Sequence, residues 1–582
     1  MREFKKIICL VYFVVFLPIV LSAFDLTVIC TNDLHSSFEG SGPDRYFTPT
    51  AGDSDPIKGH YARIAAAISK IRHEKSKENE PVLLLDGGDY SVGTLFHTVA
   101  PSEKSEMIPE YNFFSDLKYD AVTIGNHDFE PFEKGLAIAL SKAEKLGLKI
   151  PLVTTNLHFN QVQESLLKKY YSDSNVVSKT AFHRCILKEY SSGDKKIKVG
   201  FVGLVGPDGS KLCLSNRHEC SFYGFNDSTG KEDIDLLCDK LKSVVLELKN
   251  KYKADIVIAL MHGGPDENKT IADKIPEINL IIAGHTHQKI FFREKDTLII
   301  QTGAMGENIG VMELTLQNGS LTLRNEDRIF LPMDDSVESD DSVLKDIETY
   351  KDEICKVIPD SKFHYDSIIF DLYNSFPRGR FPENFAGTIV ASKILKRLNE
   401  ISKKNFDFYL TSFGMIRSQF ILPKGFPKVS IQYSDIFKFS SLGYDNEMVP
   451  GAEIVQYYLT KNDFSKLLEA MFAFSSKTPS YEPVVSDSVT FKKNFFGIPM
   501  INKIGDLRLN GKEFKDWPDL LFVASNDFFA RNLLKIKTIT KGIVSISPRD
   551  EKGKEITSFE KTGFPREHEI LAESLAERVE RE

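Results

Sequence analysis

After residue 23 the chain has no apolar run long enough to cross a bilayer, no excess of positive charge, no internal repeat and no low-complexity tract. Each absence closes a class of function. A spanning helix needs roughly 20 apolar residues, so no stable membrane span is expected in the mature chain. Lys and Arg number 74 against 82 Asp and Glu, a net charge of -8, which argues against a nucleic-acid polymer as partner. A local basic pocket stays open, because one nucleotide phosphate needs only one or two cations. With 42% hydrophobic and 27% charged residues the chain is neither fibrous nor largely disordered. Its 582 residues exceed what one core organises, so two domains are expected.

Cysteine is scarce as well, with 7 in all and none in the C-x-x-C spacing of a zinc site. In an oxidising compartment Cys213 and Cys220 are expected to close a short loop, with Cys185 and Cys238 as a second candidate bridge. Cys30 and Cys355 read as buried free thiols. The N-terminal segment, residues 1–23, stands apart. Arg2, Lys5 and Lys6 precede an apolar run over 7–21, and Ser22-Ala23 offers small residues for cleavage, the layout of a secretory signal. A retained anchor is the alternative. No cysteine follows at a lipoprotein-type position, and the reading is of an exported protein: periplasmic, cell-surface or secreted.

What is present in quantity is Asp, Asn and His just past short apolar runs. The runs at 26–30, 82–85, 121–124, 256–260 and 280–283 read as strands. They lead into Thr31-Asn32-Asp33-Leu34-His35, Gly87-Gly88-Asp89, Gly125-Asn126-His127-Asp128, Met261-His262-Gly263-Gly264 and Gly284-His285-Thr286-His287. Polar groups at strand C-termini are where open α/β sheets bind ligands. Helical patterns over 60–75 and 236–251 alternate with these strands, which implies a layered α/β domain. Strands near 298–301 and 310–316 are expected to close its edge.

Asp33 and His35 are two apart and point the same way, so both can reach one metal. Asp89, on a glycine turn, is the natural bridging carboxylate. Asn126 offers an amide oxygen, and His262 and His285 offer imidazoles; His287 can turn to the other ion. The expected ligand sets are Asp33, His35, Asp89 and His287 for one divalent ion, and Asp89, Asn126, His262 and His285 for a second. Mixed nitrogen and oxygen donors suit Mn, Zn, Co or Fe. Two ions about 3.5–4 Å apart activate a water for attack on a phosphoester. His127 follows a ligand directly and points elsewhere, fit to stabilise a charged transition state if an acid orients its ring. Glu130 and Asp128 are the candidate acids. His60, His97, His158, His183, His218 and His364 read as surface or packing residues.

The segment 333–357 opens with Asp334, Asp335, Glu338, Asp340 and Asp341 and then shows helical spacing of Val343, Ile347 and Ile354. Acid at a helix N-terminus opposes its dipole, and a linker helix is expected. The second half reads as α+β: a helix over 383–398, strands at 408–411, 429–432 and 453–459, a helix capped at Thr460, and strands at 522–524 and 542–547. From 548 onward the chain reads as a charged surface helix or frayed tail.

With these motifs in place the chain resembles the 5'-nucleotidase family, a calcineurin-like metallophosphoesterase domain followed by a substrate-binding domain. The resemblance implies a four-layer α/β/β/α domain over 24–332, a linker helix over 333–360, a smaller α+β substrate-binding domain over 361–550 and a charged tail over 551–582. It also implies a His-acid dyad at His127, with Glu130 where the family has Asp. In the second domain Glu383-Asn384-Phe385-Ala386-Gly387, Ser412-Phe413-Gly414-Met415-Ile416-Arg417 and Tyr433-Ser434-Asp435-Ile436-Phe437 are similar to family stretches. Arg417 and Arg380 are then the phosphate-binding arginines, and Phe528 a base-stacking ring. Leu442 stands where the second ring belongs, with Tyr444 as its replacement, and Arg531-Asn532-Leu533-Leu534 replaces a G-G-D-G turn. The function implied is metal-dependent release of phosphate from nucleoside 5'-monophosphates or related small nucleotides. The same chemistry on a cyclic nucleotide, nucleotide sugar or non-nucleotide ester is the alternative, and a non-catalytic secreted binding protein a third reading.

Overall fold

The computed structural model describes residues 23–576 apart from 43–56, 161–164, 215, 217, 359–360, 446–447, 477, 495–496, 499–501, 541 and 561. All of the expected signal segment except Ala23 lies outside the described residues.

Two mixed sheets form the first domain. In one, the strands Phe24–Thr31, Val82–Asp86, Ala121–Val122 and Pro151–Val153 run parallel, and Asn308–Gln317 pairs antiparallel with the first of them. In the other, Lys195–Val205, Ile256–His262, Leu280–Gly284 and Thr297–Thr302 run parallel between antiparallel flanks Ile186–Ser192 and Lys289–Glu294. Strand alternation sorts the side chains. Leu26, Val28, Leu83 and Leu85 meet Ile256, Ile258, Leu260 and Ile282 between the sheets. On the outer faces, Ile29 and Leu84 pack on Ile64 and Ile68 of helix Tyr61–Lys77, while Val257, Ala259 and Ile281 pack on Leu237, Leu241 and Val244 of helix Ile234–Asn250. The result is helix, sheet, sheet, helix, the four layers expected. The strands expected at 298–301 and 310–316 exist but do not form edges. Thr297–Thr302 is buried along its length and lies inside its sheet, and the edge falls to the more amphipathic Lys289–Glu294. Asn308–Gln317 is likewise interior, between Phe24–Thr31 and Ser320–Leu323.

Helix Asp341–Val357 starts where its acidic opening predicts, with the Asp340 carboxylate accepting from the amides of Ser342 and Val343. It lies against the first domain: Tyr350 meets Phe38 edge-on at 5.6 Å, and Ser105 donates to Glu353 at 2.5 Å.

The second domain holds a four-stranded mixed sheet in the order Ile454–Thr460, Leu520–Asn526, Phe408–Ser412, Pro483–Val485. Helices Phe385–Ile401 and Lys461–Ser475 accompany it, the latter capped by Thr460 Oγ1, which accepts from the Asp463 amide at 3.0 Å. Three expectations are corrected here. Residues 542–547 form no strand: Gly542 sits at φ 83°, and Val544 and Ile546 fill the core from irregular backbone. The charged tail is exposed over much of 551–560, as expected, but helix Glu567–Ala576 is not a surface element: it buries Ile570, Leu571 and Ala572 against helix Phe385–Ile401. Its charges are spent on partners. Glu567 accepts from Tyr409 Oη and from Asn526 Nδ2, and Glu573 pairs with Arg397 at 2.9 Å. Nor do the expected disulfides form. The Cys213 thiol faces Ser210 O at 3.5 Å and the Cys220 thiol faces Glu133 at 3.6 Å; Cys185 and Cys238 are buried in the outer core beside helix Ile234–Asn250, and Cys355 is exposed.

The C-terminal helix is therefore expected to contribute to stability. Leu571→Ala should cost about 2–5 kcal/mol, the usual range for a buried leucine, measured by urea unfolding; a loss below about 0.5 kcal/mol, typical of surface sites, would contradict the packing.

Candidate active site

The five motif loops all leave C-terminal strand ends, and they are held in an unusual backbone state. Asp33, His35, Asp89, His285 and His287 have φ of 49°, 51°, 53°, 89° and 56°. Non-glycine residues rarely adopt these values, and each carries of order 1–3 kcal/mol of strain that its surroundings must hold. The surroundings do so with hydrogen bonds between loops. Asp33 N donates to Gly88 O (2.9 Å), His35 N to Asp89 O (3.1 Å), and His285 N to both Asp33 carboxylate oxygens (3.0 Å). Asn32 Nδ2 steadies Asp33 from the side at 2.6 Å. The glycines are steric requirements: a Cβ on Gly125 would lie 2.1 Å from Asp89 Oδ1, and one on Gly284 would lie 2.6 Å from Gly87 O.

Two ligand groups result. Asp33, His35 and His287 bring one donor atom each within 4.8 Å of one another, and so do Asp89, His262 and His285. Asn126 Oδ1 adds to the second group, 2.9 Å from His285 Nδ1. The ring partners fix which nitrogen is available. His35 Nδ1 donates to Val92 O (2.7 Å), leaving Nε2 to face His287 Nε2 at 3.0 Å. His262 Nδ1 donates to Gly87 O (2.9 Å), leaving a buried Nε2 with no hydrogen bond, 3.0 Å from Asp89 Oδ2. Ring nitrogens aimed at each other and at carboxylates are the donor set of a divalent transition metal, so the residues fit one.

Electrostatics agree. Burial pushes Asp33 up to about 6, and Asp89 nearby adds to this while His262 opposes it. Burial, with Arg417 second, pushes His35 down to about 3. Although burial opposes it, the Asp89 charge raises His262 to about 10. The cluster gathers two buried carboxylates among imidazoles, and a cation would relieve the raised Asp33.

His127 lies at the edge of this cluster, its ring 5.2 Å from His35 and its amide donating to Asp89 Oδ1 at 2.8 Å. Its Nδ1 is in short contact with Glu130 Oε1. Glu130 Oε2 accepts from Gly443 N of the second domain at 2.8 Å, so one carboxylate orients the imidazole and ties the domains. Asp128 does not orient His127. It accepts from the amides of Gly125 (2.8 Å), Ser91 (3.0 Å) and Asp89 (3.2 Å) and shapes the Asp89 turn instead; burial first, and Asp89 second, raise it well above the usual carboxylate range.

From the second domain comes Arg417, which feels Glu130, Asp89 and Asp33. It borders a cavity of about 620 Å³ together with Asn126, His127, Leu442, Met471 and Phe528. Two other expected contacts fall elsewhere. Arg380 is paired with Glu482 at 2.9 Å, beside a separate surface pocket. Tyr444 is buried, its hydroxyl donating to His97 O at 3.1 Å, and its side chain packs instead of lining the cavity. Arg378 stands nearer than Arg380. It stacks over Phe413 at 4.0 Å, and burial and the Arg417 charge push its guanidinium down to about 9. Asp208 and Lys211 were also not foreseen. Asp208 meets His285 Nε2 at 3.1 Å and Lys211 at 2.7 Å. Their signal was a Gly206-Pro207-Asp208 turn after strand Lys195–Val205, the same arrangement as the other ligand loops.

Residues 26–289 match the calcineurin-like phosphoesterase family model. The trifunctional nucleotide phosphoesterase protein YfkN of Bacillus subtilis is 23% identical over 68% of this chain and 25% of its own length. The 5'-nucleotidase of Bos taurus is 22% identical over 80% of this chain and 81% of its own. The chain spans between 25% and 55% of the length of the first curated relatives it matches. Among solved structures, the 5'-nucleotidase precursor from Thermus thermophilus superimposes with a TM-score of 0.71 over 95% of this chain and 97% of that one, at 18% identity. The resemblance to 5'-nucleotidases thus holds over most of the chain, and the two-domain architecture is theirs.

A divalent ion at these donors should stabilise the fold by about 2.7 kcal/mol at 100 times its Kd, visible as a raised Tm when Mn is added to metal-stripped protein. Asp89→Asn should remove most of that shift; an unchanged shift would contradict the ligand assignment.

Proposed function

We propose that this chain, with a calcineurin-like phosphoesterase domain over residues 26–289, is an exported, two-metal phosphoric-ester hydrolase that releases phosphate from nucleoside 5'-monophosphates or related nucleotides. The calcineurin-like domain and the 5'-nucleotidase relatives support hydrolysis of phosphoester bonds. The observation that supports the reading is that two ligand groups adjoin through the His285 amide on the Asp33 carboxylate, with His127 on Asp89 and Arg417 on the side of the second domain. Export rests on residues 1–23 alone; among the described residues no helix is long and apolar enough to cross a membrane.

When bound, the ions would lower the pKa of a water and neutralise phosphoryl oxygens. The chain's own residues do the rest. Asp33, His35 and His287 would hold one ion, Asn126, His262 and His285 the other, and Asp89 would bridge them. Arg417 is a cation at the substrate phosphate, and its burial strengthens that attraction. His127, oriented by Glu130, would donate a hydrogen bond to charge developing on the phosphoryl group or leaving oxygen. Because Glu130 also holds Gly443, this orientation depends on the second domain being in place. The leaving group extends into the cavity, where Phe528 offers one stacking face worth about 1–3 kcal/mol.

A second reading keeps this chemistry on a cyclic nucleotide, nucleotide sugar or non-nucleotide ester. It is favoured by the cavity wall, where Leu442 replaces a ring and Tyr444 is turned into the core. The domain division at 333–360 is likewise proposed from sequence pattern.

A phosphate-release screen over nucleoside monophosphates, cyclic nucleotides, nucleotide sugars and aryl phosphates separates these readings. EDTA should abolish turnover and Mn restore it. Asp33→Asn or His262→Ala should remove nearly all activity, and substantial turnover in both would sink the metal assignment. His127→Ala should lower kcat about 10²–10³-fold, the range for losing one transition-state donor. Arg417→Ala should raise KM while Arg380→Ala leaves it unchanged; the opposite pattern would reverse the assignment of the phosphate-binding arginine.

A further inference from the structure

The imidazoles of the two ligand groups are not held alike. His35 and His262 each donate their Nδ1 proton to a backbone carbonyl, of Val92 and Gly87. Both therefore present Nε2 to the centre. His285 is reversed: Nδ1 faces Asn126 Oδ1 at 2.9 Å, and Nε2 points away from the ligand group, to Asp208 Oδ2 at 3.1 Å. Its partner is a carboxylate, not a carbonyl.

Asp208 is itself held at two further points, its carboxylate and its backbone amide. Its other oxygen accepts from Lys211 Nζ at 2.7 Å, one turn along the same short helix. Its backbone amide donates to Glu267 Oε1 at 3.0 Å, and Glu267 Oε2 accepts from Gly264 N at 3.0 Å, two residues past His262. Lys211 is anchored in turn by Glu232 at 3.6 Å. A network of this kind has few ways to relax, so the direction of Asp208 Oδ2 is fixed.

We propose that Asp208, locked by Lys211, is the positioning residue of the second ion: it fixes His285 in the orientation that presents Nδ1 and makes that nitrogen a stronger donor. A neutral imidazole carries one proton, and whichever nitrogen donates leaves the other free for a metal. With Asp208 accepting at Nε2, the lone pair is confined to Nδ1, beside Asn126, His262 and Asp89. A carboxylate behind an imidazole also raises its basicity more than a carbonyl does. His285 has particular need of this. Its backbone sits at φ 89°, and the hydrogen-bond partners of its ring, Asn126 Oδ1 at Nδ1 and Asp208 Oδ2 at Nε2, come from other segments of the chain. Among the described residues the hydrogen bonds and ion pairs of Asp208 run to His285, Lys211 and Glu267 and to no residue of the first group, so its direct contact is with the ligand of one of the two ions. Asp208 and Lys211 also line the cavity at the metal centre, which gives the leaving group a route to the same network.

The inference rests on the two-ion reading above, and titration of metal-stripped full-length protein with Mn, followed by calorimetry, separates the two. If the wild-type protein binds fewer than two ions, the two-ion reading itself fails. Given two, Asp208→Asn should weaken one site about 10–100-fold, the range for losing such a partner, leave the other site unchanged, and leave the Tm of metal-free protein as in the wild type. Its kcat should recover at high Mn, because the ligands themselves remain. Lys211→Gln should weaken the same site, and it decides the matter if Asp208→Asn does not fold. Two sites of wild-type affinity in a folded variant would overturn the proposal, as would equal weakening of both sites, which would make Asp208 a scaffold residue.

Discussion

One hydrogen-bond pair holds the centre together: the His285 amide on the Asp33 carboxylate. Asp33 follows a strand of one sheet and His285 a strand of the other, so this contact joins the two layers at the rim of their apolar core, beside His262 Nδ1 on Gly87 O and Thr302 N on Asn32 Oδ1. It also explains why the ligand residues tolerate left-handed backbone. Each loop is pinned to a neighbouring loop, not to its own strand, and the strain is shared among contacts that form together. The glycines at 125 and 284 are consequences of the same closeness, since backbone and ligand atoms occupy the space a side chain would need.

A second constraint runs between domains. Glu130 divides its carboxylate between His127 and the Gly443 amide, and Arg417 adds a cation from the same side. The imidazole beside the metal ligands is thereby oriented in part by the domain that lines the cavity. Helix Glu567–Ala576 belongs to this arrangement, because it buttresses helix Phe385–Ile401 and, through Glu567, Asn526, the cap of helix Asp527–Leu534 that carries Phe528. What looked like a polar terminus carries part of the cavity's support.

The first domain was legible because its signals are local and periodic. Near-continuous apolar runs at 26–30 and 256–260 specify strands buried on both faces, and Asp or His at or just beyond a strand end is constrained by chain geometry to sit at the sheet's rim. The second domain was less legible for a physical reason. Arg378 and Arg380 lie two apart, and only the Glu482 carboxylate, more than a hundred residues away, decides which of them is engaged elsewhere. Tyr444 has the chemistry of a stacking ring, yet its hydroxyl finds a partner in His97 O and the side chain turns inward. Short cysteine spacing suggested a bridge at Cys213 and Cys220, but the thiols point to Ser210 and Glu133. The tail's charges hid an apolar face of four residues, Ile570, Leu571, Ala572 and Leu575.

By itself, the sequence determined the reaction chemistry's raw material: seven donor residues, their order, and their position after strands, because ligand type and strand periodicity are both written locally. It also determined the layered character of the first domain. Tertiary structure alone decided which imidazole nitrogen each donor presents, and that Asp208 stands behind His285. It likewise decided that Arg417 faces the centre while Arg380 does not. These are outcomes of contacts between residues far apart in the chain, and no local pattern encodes the direction in which a side chain finds its partner.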